Sequence, residues 1–433
     1  MPLVEKEITT QNIERARSHS EFEKRRETEQ KLVPSNPDIF VELFKDKATP
    51  IEQIYLSSPD DEFSLRLRST YLPEGTVYKA TQKDRGAIVE RALERTEIDT
   101  DISQAAFEHF AAMDLPRVHK LRFTITHGVT VDFYDSKEAP VIVEVECDDP
   151  AERAQHIALL EALTGSILID KSDDPEFTNE HIAHRSSPEY SRRTPESLDA
   201  FSARVSQEMV AHYVAGKQHV IVGLTGMSGS GKTTATRAIE AHIVEAFGES
   251  YRPIVLSTDD YHFGKTKLEQ QYGAPYSDWD SPRTYNTAEL ARDLQQLTEG
   301  IPLIRRHFDF DTEEPAYDSF VEPSPFVIIE GLYAGSGDLS AIRDLHFELP
   351  TSIATSIGRD VRRLVIENRA NRAFPTPESR LKYQIETALP LYLAQERPTR
   401  NAFSACVRPL AERASMLAQI TRSIEHQTQV LQG

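Results

Sequence analysis

Short stretches of the first 150 residues alternate polar and apolar positions, the period-two pattern of strands with one charged face. Glu27-Thr28-Glu29-Gln30-Lys31-Leu32-Val33 places Glu27, Glu29 and Lys31 on one side. Ser64, Arg66 and Arg68 share a face, as do Lys79, Thr81 and Lys83, and then Lys120 and Arg122. Val131 to Tyr134 sets Asp132 opposite apolar neighbours, and Val141 to Glu146 sets Glu144 and Glu146 against a row of valines. Past residue 215 the pattern changes. His219 to Leu224, Pro253 to Ser257 and Phe326 to Ile329 are near-continuous apolar runs, which predict buried parallel strands. Helical spacing predicts helices over 195–215, over Thr234 to Phe247 (Ile239, Ile243 and Phe247 on one face) and over Thr287 to Leu297. Ile301 to Ile304 reads as a further strand. Residues 8–26 read as a polar surface helix, and 171–200, rich in Ser, Pro and charge, as a linker. In 401–433, Phe403, Val407, Leu410, Met416, Leu417, Ile420 and Ile424 recur at helical spacing. That segment reads as a docked helix, with a dimerising helix, and hence a homo-oligomer, as the alternative.

In a one-sided sheet the charged faces of the early strands would simply meet water. Closed into a barrel, the same six strands would line an interior with cations for phosphates and carboxylates for metal. The order of the segments resembles the CYTH family, the triphosphate tunnel metalloenzymes, over about residues 25–170. Glu27, Glu29 and Lys31 match its opening Glu-x-Glu-x-Lys, Arg66 and Arg68 its Arg-x-Arg strand, Lys83 its Lys-bearing strand, and Glu144 and Glu146 its closing Glu-x-Glu. The resemblance implies an antiparallel tunnel barrel that binds a tri- or polyphosphate with Mg²⁺ or Mn²⁺. Arg66, Arg68, Lys79, Lys83, Lys120 and Arg122 would contact substrate, and Glu27, Glu29, Asp132, Glu144 and Glu146 would hold metal. One departure stands out: on the strand Leu93-Glu94-Arg95-Thr96-Glu97, Arg95 stands where the family commonly carries a Glu.

Between the apolar run ending at Leu224 and the helix from Thr234 lies Gly226-Met227-Ser228-Gly229-Ser230-Gly231-Lys232-Thr233. It fits the phosphate-loop pattern without a mismatch and sits in the strand–loop–helix context the motif needs. Its glycines let backbone N–H groups turn toward a phosphate, and the helix N-terminus adds a favourable dipole. Lys232 would reach the β/γ-phosphates, Thr233 would offer its hydroxyl to Mg²⁺, and Thr234 completes the nucleotide-binding stretch. The other reading of such a stretch is a flexible glycine-rich turn.

Further pieces resemble the uridine kinase and phosphoribulokinase branch of P-loop kinases over about residues 216–400. They are Ser257-Thr258-Asp259-Asp260-Tyr261, Trp279-Asp280-Ser281-Pro282, Phe308-Asp309-Phe310, Ile329-Glu330-Gly331-Leu332 and Gly358-Arg359-Asp360. The resemblance implies that Asp259 is the general base, that Asp280 and Asp309 meet the acceptor, that Glu330 touches Mg²⁺ through water and that Arg359 belongs to the lid. Two departures concern the acceptor. Asp311, Thr312, Glu313 and Glu314 follow where uridine kinases place a His and an Arg, and Ala354 to Ile357 replaces the Arg pair before Arg359.

Composition narrows the picture little. The 433 residues, 39% hydrophobic and 27% charged, suit two or three soluble domains. A formal charge of −20 disfavours nucleic-acid and membrane partners, so any polyphosphate must meet local basic groups. Cys147 and Cys406 exclude a disulfide framework and suit a reducing cytoplasm. The expected architecture is therefore a two-domain chain: an antiparallel β-barrel over 1–170, a linker over 171–200, an α/β P-loop kinase with a parallel sheet over 201–400 and a C-terminal helix over 401–433. The leading expectation is an ATP-dependent kinase acting on a small, nucleoside-like hydroxyl. The alternatives are a metal-dependent polyphosphate hydrolase with a regulatory nucleotide site, and a nucleotide sensor with neither activity.

Overall fold

The computed structural model describes residues 26–134, 141–185, 196–366 and 374–395. The helix expected over 401–433 lies outside them, as does that expected over 8–26 save for Arg26, which opens the first strand. The described chain divides into two compact units: 26–134, 141–185, 361–366 and 374–386 in one, 196–360 and 387–395 in the other.

The first unit is an antiparallel barrel. Its strands are β1 (Arg26–Pro34), β2 (Thr49–Tyr55), β3 (Phe63–Leu72), β4 (Gly75–Asp84), β5 (Ala87–Val89), β6 (Ala92–Asp101), β7 (Arg117–Thr126), β8 (Val129–Tyr134), β9 (Val141–Glu146) and β10 (Leu168–Asp170). The order β1-β9-β8-β7-β2-β3-β4-β6 closes through pairing of β6 with β1, so eight strands form the wall while β5 and β10 extend it at two places. Closure removes the free edges a sheet of this length would otherwise expose. Helices α1 (Pro37–Phe44), α2 (Gln104–Ala111), α3 (Pro150–Thr164) and α4 (Asn179–Arg185) connect or follow the strands.

The alternation read from the sequence decides which side faces where. Leu32, Val129, Val131, Val143 and Val145 point outward and pack with Phe40 and Phe44 of α1 and Leu160 of α3 in a fully buried cluster. On β3, Leu65 and Leu67 are wholly buried on the outer face. Each strand therefore spends its apolar side on helices outside the barrel, and its charged side must turn in. Residues 171–185, read from the sequence as part of a linker, instead belong to this unit. They carry α4, whose Asn179, Glu180, Ala183 and His184 are buried.

The second unit begins with α5 (Leu198–Val214). It is built on a four-stranded parallel sheet of β11 (Val220–Thr225), β12 (Ile254–Ser257), β15 (Phe326–Gly331) and β16 (Leu345–Glu348), ordered β12-β15-β11-β16. β11 and β15 are buried along nearly their whole length, as near-continuous apolar runs require. One face packs on α5 and α6 (Lys232–Phe247) through Phe201, Val205, Met209, Ile239 and Ile243. The other packs Tyr261, then Leu290, Leu294 and Leu297 of α8 (Thr287–Thr298), which follows the short α7 (Lys265–Tyr272). The strand predicted at 301–304 runs over β13 (Leu303–Asp309) and pairs antiparallel with β14 (Glu314–Val321) as a separate hairpin. α9 (Ile353–Ile366) buries Ile353, Ala354, Ile357, Val361 and Leu364, a helical stripe. α10 (Pro377–Tyr383) belongs with the barrel, where Lys382 donates to the Asp101 carbonyl at 2.8 Å, and α11 (Leu389–Leu393) with the sheet.

Candidate functional site

In the barrel, register brings the inward charges into a ring. On β1, Glu27 lies opposite Arg95 of β6, while Glu29 and Lys31 lie opposite Glu146 and Glu144 of β9. Lys79, Thr81 and Lys83 of β4 face Asp101, Asp99 and Glu97 of β6. Arg66 and Arg68 of β3 face Thr81 and Lys79, and Arg122 of β7 faces Asp132 of β8.

Four of the five carboxylates expected to hold metal, Glu27, Glu29, Asp132 and Glu144, are occupied by cations, whereas Glu146 lies among other carboxylates. Lys83 donates to both oxygens of Glu27 at 2.7 Å and pairs with Glu97 at 2.8 Å. Arg95 donates to Glu27 at 3.0 and 2.9 Å and to Glu29 at 2.6 Å. Lys31 pairs with Glu29 and, at 2.8 Å, with Glu144. Lys120 and Arg122 each reach Asp132 at 2.5 Å, and Arg122 also bonds Glu144. Among the described residues no group of three or more His, Cys, Asp or Glu is disposed to hold a metal ion.

Burial alone would push the Glu27 carboxyl up, but Lys83 and Arg95 together hold it below the usual carboxylate range. Burial, then Arg95, brings Lys83 down to about 8 against the pull of Glu27. Lys120 falls to about 8 through burial and Arg122, opposed by Asp132. Glu146 shifts the other way: burial first, then Glu144, Glu29 and Glu27, raise it. Further out, Arg66 lies 3.8 Å from Glu97 and Arg68 3.9 Å from Asp99, so these guanidiniums are loosely held and their buried Nε atoms have no hydrogen-bond partner. Beside them opens a cavity of about 360 Å³ whose wall takes in Lys31, Arg66, Lys83, Arg85 and Arg95. A space walled by several cations, Arg66 among them only loosely paired, can receive a polyanion.

Several of these residues escaped the sequence reading. Glu97 and Asp99 continue the period-two alternation of Arg95 on β6 and could have been found by it. Asn179 and Glu180 could not, because they sit in the segment that lacked periodicity. Asn179 accepts from Lys120 at 3.0 Å and from the Tyr134 hydroxyl at 2.7 Å, and Glu180 bonds Ser57 and Arg85.

In the second unit the phosphate loop follows β11 as expected. Gly229 and Gly231 have φ of +79° and +92°, conformations open to glycine without penalty, and α6 begins at Lys232. A side chain at Gly229 would also run into the Ser356 backbone. The Lys232 ammonium folds back over the loop, donating to the Gly226 and Met227 carbonyls at 3.0 and 3.2 Å. The Ser228 hydroxyl donates to Asp360 at 2.6 Å, and Thr351 donates to the Ser230 carbonyl at 2.6 Å, so two later segments brace the loop. Thr233 and Thr234 are exposed on the first turn of α6.

β15 lies between β11 and β12, with Glu330 opposite Leu224 on one side and Ser257 on the other. Burial raises its carboxyl, opposed by the charge of Lys232 and reinforced by that of Asp259. Its Oε2 is buried with no hydrogen-bond partner. This places an acid between the loop and the turn Thr258–Tyr261 that carries Asp259. The chemistry of that orphaned oxygen suits a hydrated divalent ion. Asp260 points elsewhere: it accepts from the Phe308 backbone at 3.2 Å, and burial raises its carboxyl. Asp309 caps its own turn, accepting from the N–H groups of Asp311 and Thr312 at 2.8 and 3.3 Å. The Asp280 carbonyl accepts from the Tyr333 hydroxyl at 2.6 Å. Arg359 is half-buried on α9, one residue before the Asp360 that meets the loop.

The sequence reading also passed over Arg306 and His262. Arg306 is buried and donates to the Asp260 carbonyl at 2.8 Å, to the His262 carbonyl and to Glu289, so it fixes the turn bearing Asp259. His262 lies within a cage of Trp279 (5.8 Å, stacked), Tyr285 (4.3 Å) and Phe308 (4.9 Å). Burial brings its pKa down to about 4.

Residues 221–362 match the model of the phosphoribulokinase / uridine kinase family. The C-terminal part of the chain is a kinase domain of that family. A uridine kinase from Deinococcus deserti is 27% identical over 183 residues, 42% of this chain and 83% of that enzyme. An Arabidopsis thaliana protein named inorganic pyrophosphatase TTM2 is 29% identical over 181 residues, 41% of this chain but 24% of that protein. The crystal structure of an inorganic triphosphatase aligns at 25% identity over 36% of this chain and 93% of its own, with a TM-score of 0.23. The region before the kinase domain is the CYTH-like antiparallel barrel described above. Among the described residues no helix is long and apolar enough to cross a membrane.

Proposed function

We propose that the kinase domain, over about residues 201–400, transfers the γ-phosphoryl group of ATP to a hydroxyl of a small, nucleoside-like molecule. The observation that carries this reading is the meeting of Lys232, Glu330 and Asp259 at the carboxyl ends of β11, β15 and β12. Gly226 to Thr234 cradle the phosphates through backbone N–H groups and the N-terminus of α6. Lys232 leaves its two carbonyl acceptors for the β/γ-phosphate oxygens, where its charge offsets the charge of the transferring group. Asp259 accepts the proton of the attacking hydroxyl. Thr233 and Glu330 would hold the nucleotide's Mg²⁺, which would supply further neutralisation of phosphate charge. Arg359 covers the phosphate from α9, and Asp280 orients the acceptor. The likeness to uridine kinases supports a nucleoside-like acceptor.

The barrel, in this reading, binds a tri- or polyphosphate among its inward cations. The relative named inorganic pyrophosphatase supports a second reading, in which the chain hydrolyses its phosphoanhydride rather than transferring it.

The test is ADP release from ATP by the full chain across a panel of nucleosides. The kinase reading expects turnover that requires an acceptor. Asp259→Asn should then lower kcat by about 10²–10⁴-fold, the range of general-base assistance, with nucleotide affinity nearly unchanged. Asp260→Asn should cost far less, because its carboxylate serves the Phe308 backbone. Phosphate release from pyrophosphate or tripolyphosphate with no acceptor effect would favour hydrolysis instead.

A further inference from the structure

The barrel's likeness to metal-dependent tunnel enzymes implies a divalent ion at Glu27 and Glu29, and the residues present do not fit one there. Arg95 stands directly across from Glu27 in the β1–β6 register, so its side chain enters the barrel on the same level. It bonds Glu27 twice and Glu29 once, at 2.6 to 3.0 Å, bridging the two carboxylates as a shared ion would. Lys83 takes the remaining Glu27 oxygen and Lys31 the remaining Glu29 oxygen. All four carboxylate oxygens are thus satisfied by fixed cations. The side-chain exposures of Glu29 and Arg95 are 3% and 15%, so water competes little for these bonds. Displacing Arg95 to admit a hydrated dication would leave a guanidinium unpaired in a buried site, a costly exchange. A second observation is independent of the ion pairs. The 360 Å³ cavity has Lys31, Arg66, Lys83, Arg85 and Arg95 on its wall, whereas neither Glu27 nor Glu29 is part of that wall. A guest in the cavity meets these five cations together with Asp84, Asp173 and Glu180, while the first-strand carboxylates are screened from it. The volume lies within the range of small-ligand pockets, ~300–1,000 Å³.

We propose that Arg95 takes the place of a metal ion in this barrel, making the tunnel a receptor for a linear polyphosphate that needs no divalent cation at Glu27 and Glu29. The inference deepens the tunnel reading given above and rests on it. Arg95 is then the residue that sets metal dependence: a guanidinium built into the wall supplies positive charge that a dication would otherwise bring.

The experiment is calorimetric titration of the full chain with tripolyphosphate, in EDTA and in excess Mn²⁺, with the phosphate loop weakened by Lys232→Ala in every sample. Mn²⁺ binding is followed in parallel by electron paramagnetic resonance without nucleotide or phosphate. The expected result is an affinity that changes less than about 3-fold between EDTA and Mn²⁺, and no Mn²⁺ binding sensitive to Glu27→Gln. Arg95→Glu should weaken binding in EDTA by about 30-fold or more and recover it with Mn²⁺, while gaining a Glu27-dependent Mn²⁺ signal. Arg95→Gln, which adds no buried charge and guards against misfolding, should weaken binding in both buffers. A tenfold or larger gain of affinity with Mn²⁺ in the chain retaining Arg95, lost on Glu27→Gln, overturns the proposal. No tripolyphosphate binding in either buffer overturns the tunnel reading itself, and the proposal with it.

Discussion

His262 illustrates how much a single buried side chain reveals. Its ring is enclosed by Trp279, Tyr285 and Phe308, and neither nitrogen has a hydrogen-bond partner among the described residues. Protonating it there would bury an imidazolium among aromatic rings, which is why its pKa drops to about 4. The folded state thus holds the neutral form while the unfolded chain binds a proton below about 6.5. The contribution to stability is complete above pH 6.5 and is lost as pH falls toward 4, by about 3 kcal/mol at the limit. His346, brought down to about 4 by burial and Arg343, acts in the same window. Urea denaturation of the kinase domain between pH 4 and 7 should show stability rising with pH, and His262→Phe should flatten part of that slope. An unchanged slope would show that His262 binds its proton equally in the folded and unfolded states, as it would if water reached the ring. The same residue scale separates Asp259 from Asp260. Adjacent in sequence and identical in chemistry, they differ only in what the turn lets each one reach.

At the scale of elements, α4 is the instructive case. It is a seven-residue helix from a stretch without hydrophobic periodicity, yet four of its residues are buried. The reason is that its partners are polar. Asn179 meets Lys120 and Tyr134, and Glu180 meets Ser57 and Arg85, whose guanidinium also donates to the Asp61 carbonyl at 2.7 Å. Apolar periodicity is silent about a helix that docks through hydrogen bonds. Glu180→Ala would leave Ser57 and Arg85 without this acceptor, a loss of about 1–3 kcal/mol. Calorimetry of the full chain should show one unfolding transition lowered by a few degrees. The transition affected should be the one that tripolyphosphate raises, and an unmoved transition would make α4 an ornament of the barrel. Hairpin β13–β14 is the opposite case. Its strand β13 was half legible from Ile301 to Ile304, but pairing carried it on to Asp309 and turned that carboxylate to capping its own turn.

For the whole molecule, the chain's charge of −20 and the two phosphate sites proposed for it have to be reconciled. Each site does so locally: the barrel concentrates lysines and arginines on one face of its strands, and the kinase domain uses backbone N–H groups, a helix terminus and Lys232. The two sites are built from separate residues, so Lys232→Ala should abolish phosphoryl transfer while leaving Arg95-dependent tripolyphosphate binding as it was. Parallel measurement of ADP release and of that binding checks this, and joint loss would mean coupled sites. The sequence alone determined the period of each segment, and period decides the class of structure: alternating charged faces for the barrel, apolar runs around a glycine loop for the parallel sheet. It also determined the loop, because the loop's chemistry lies in consecutive backbone groups. Only the tertiary structure decided partners. Which carboxylate meets which cation depends on register across strands far apart in the chain, and Arg95 became a bridge between Glu27 and Glu29 because closing the barrel set β6 beside β1.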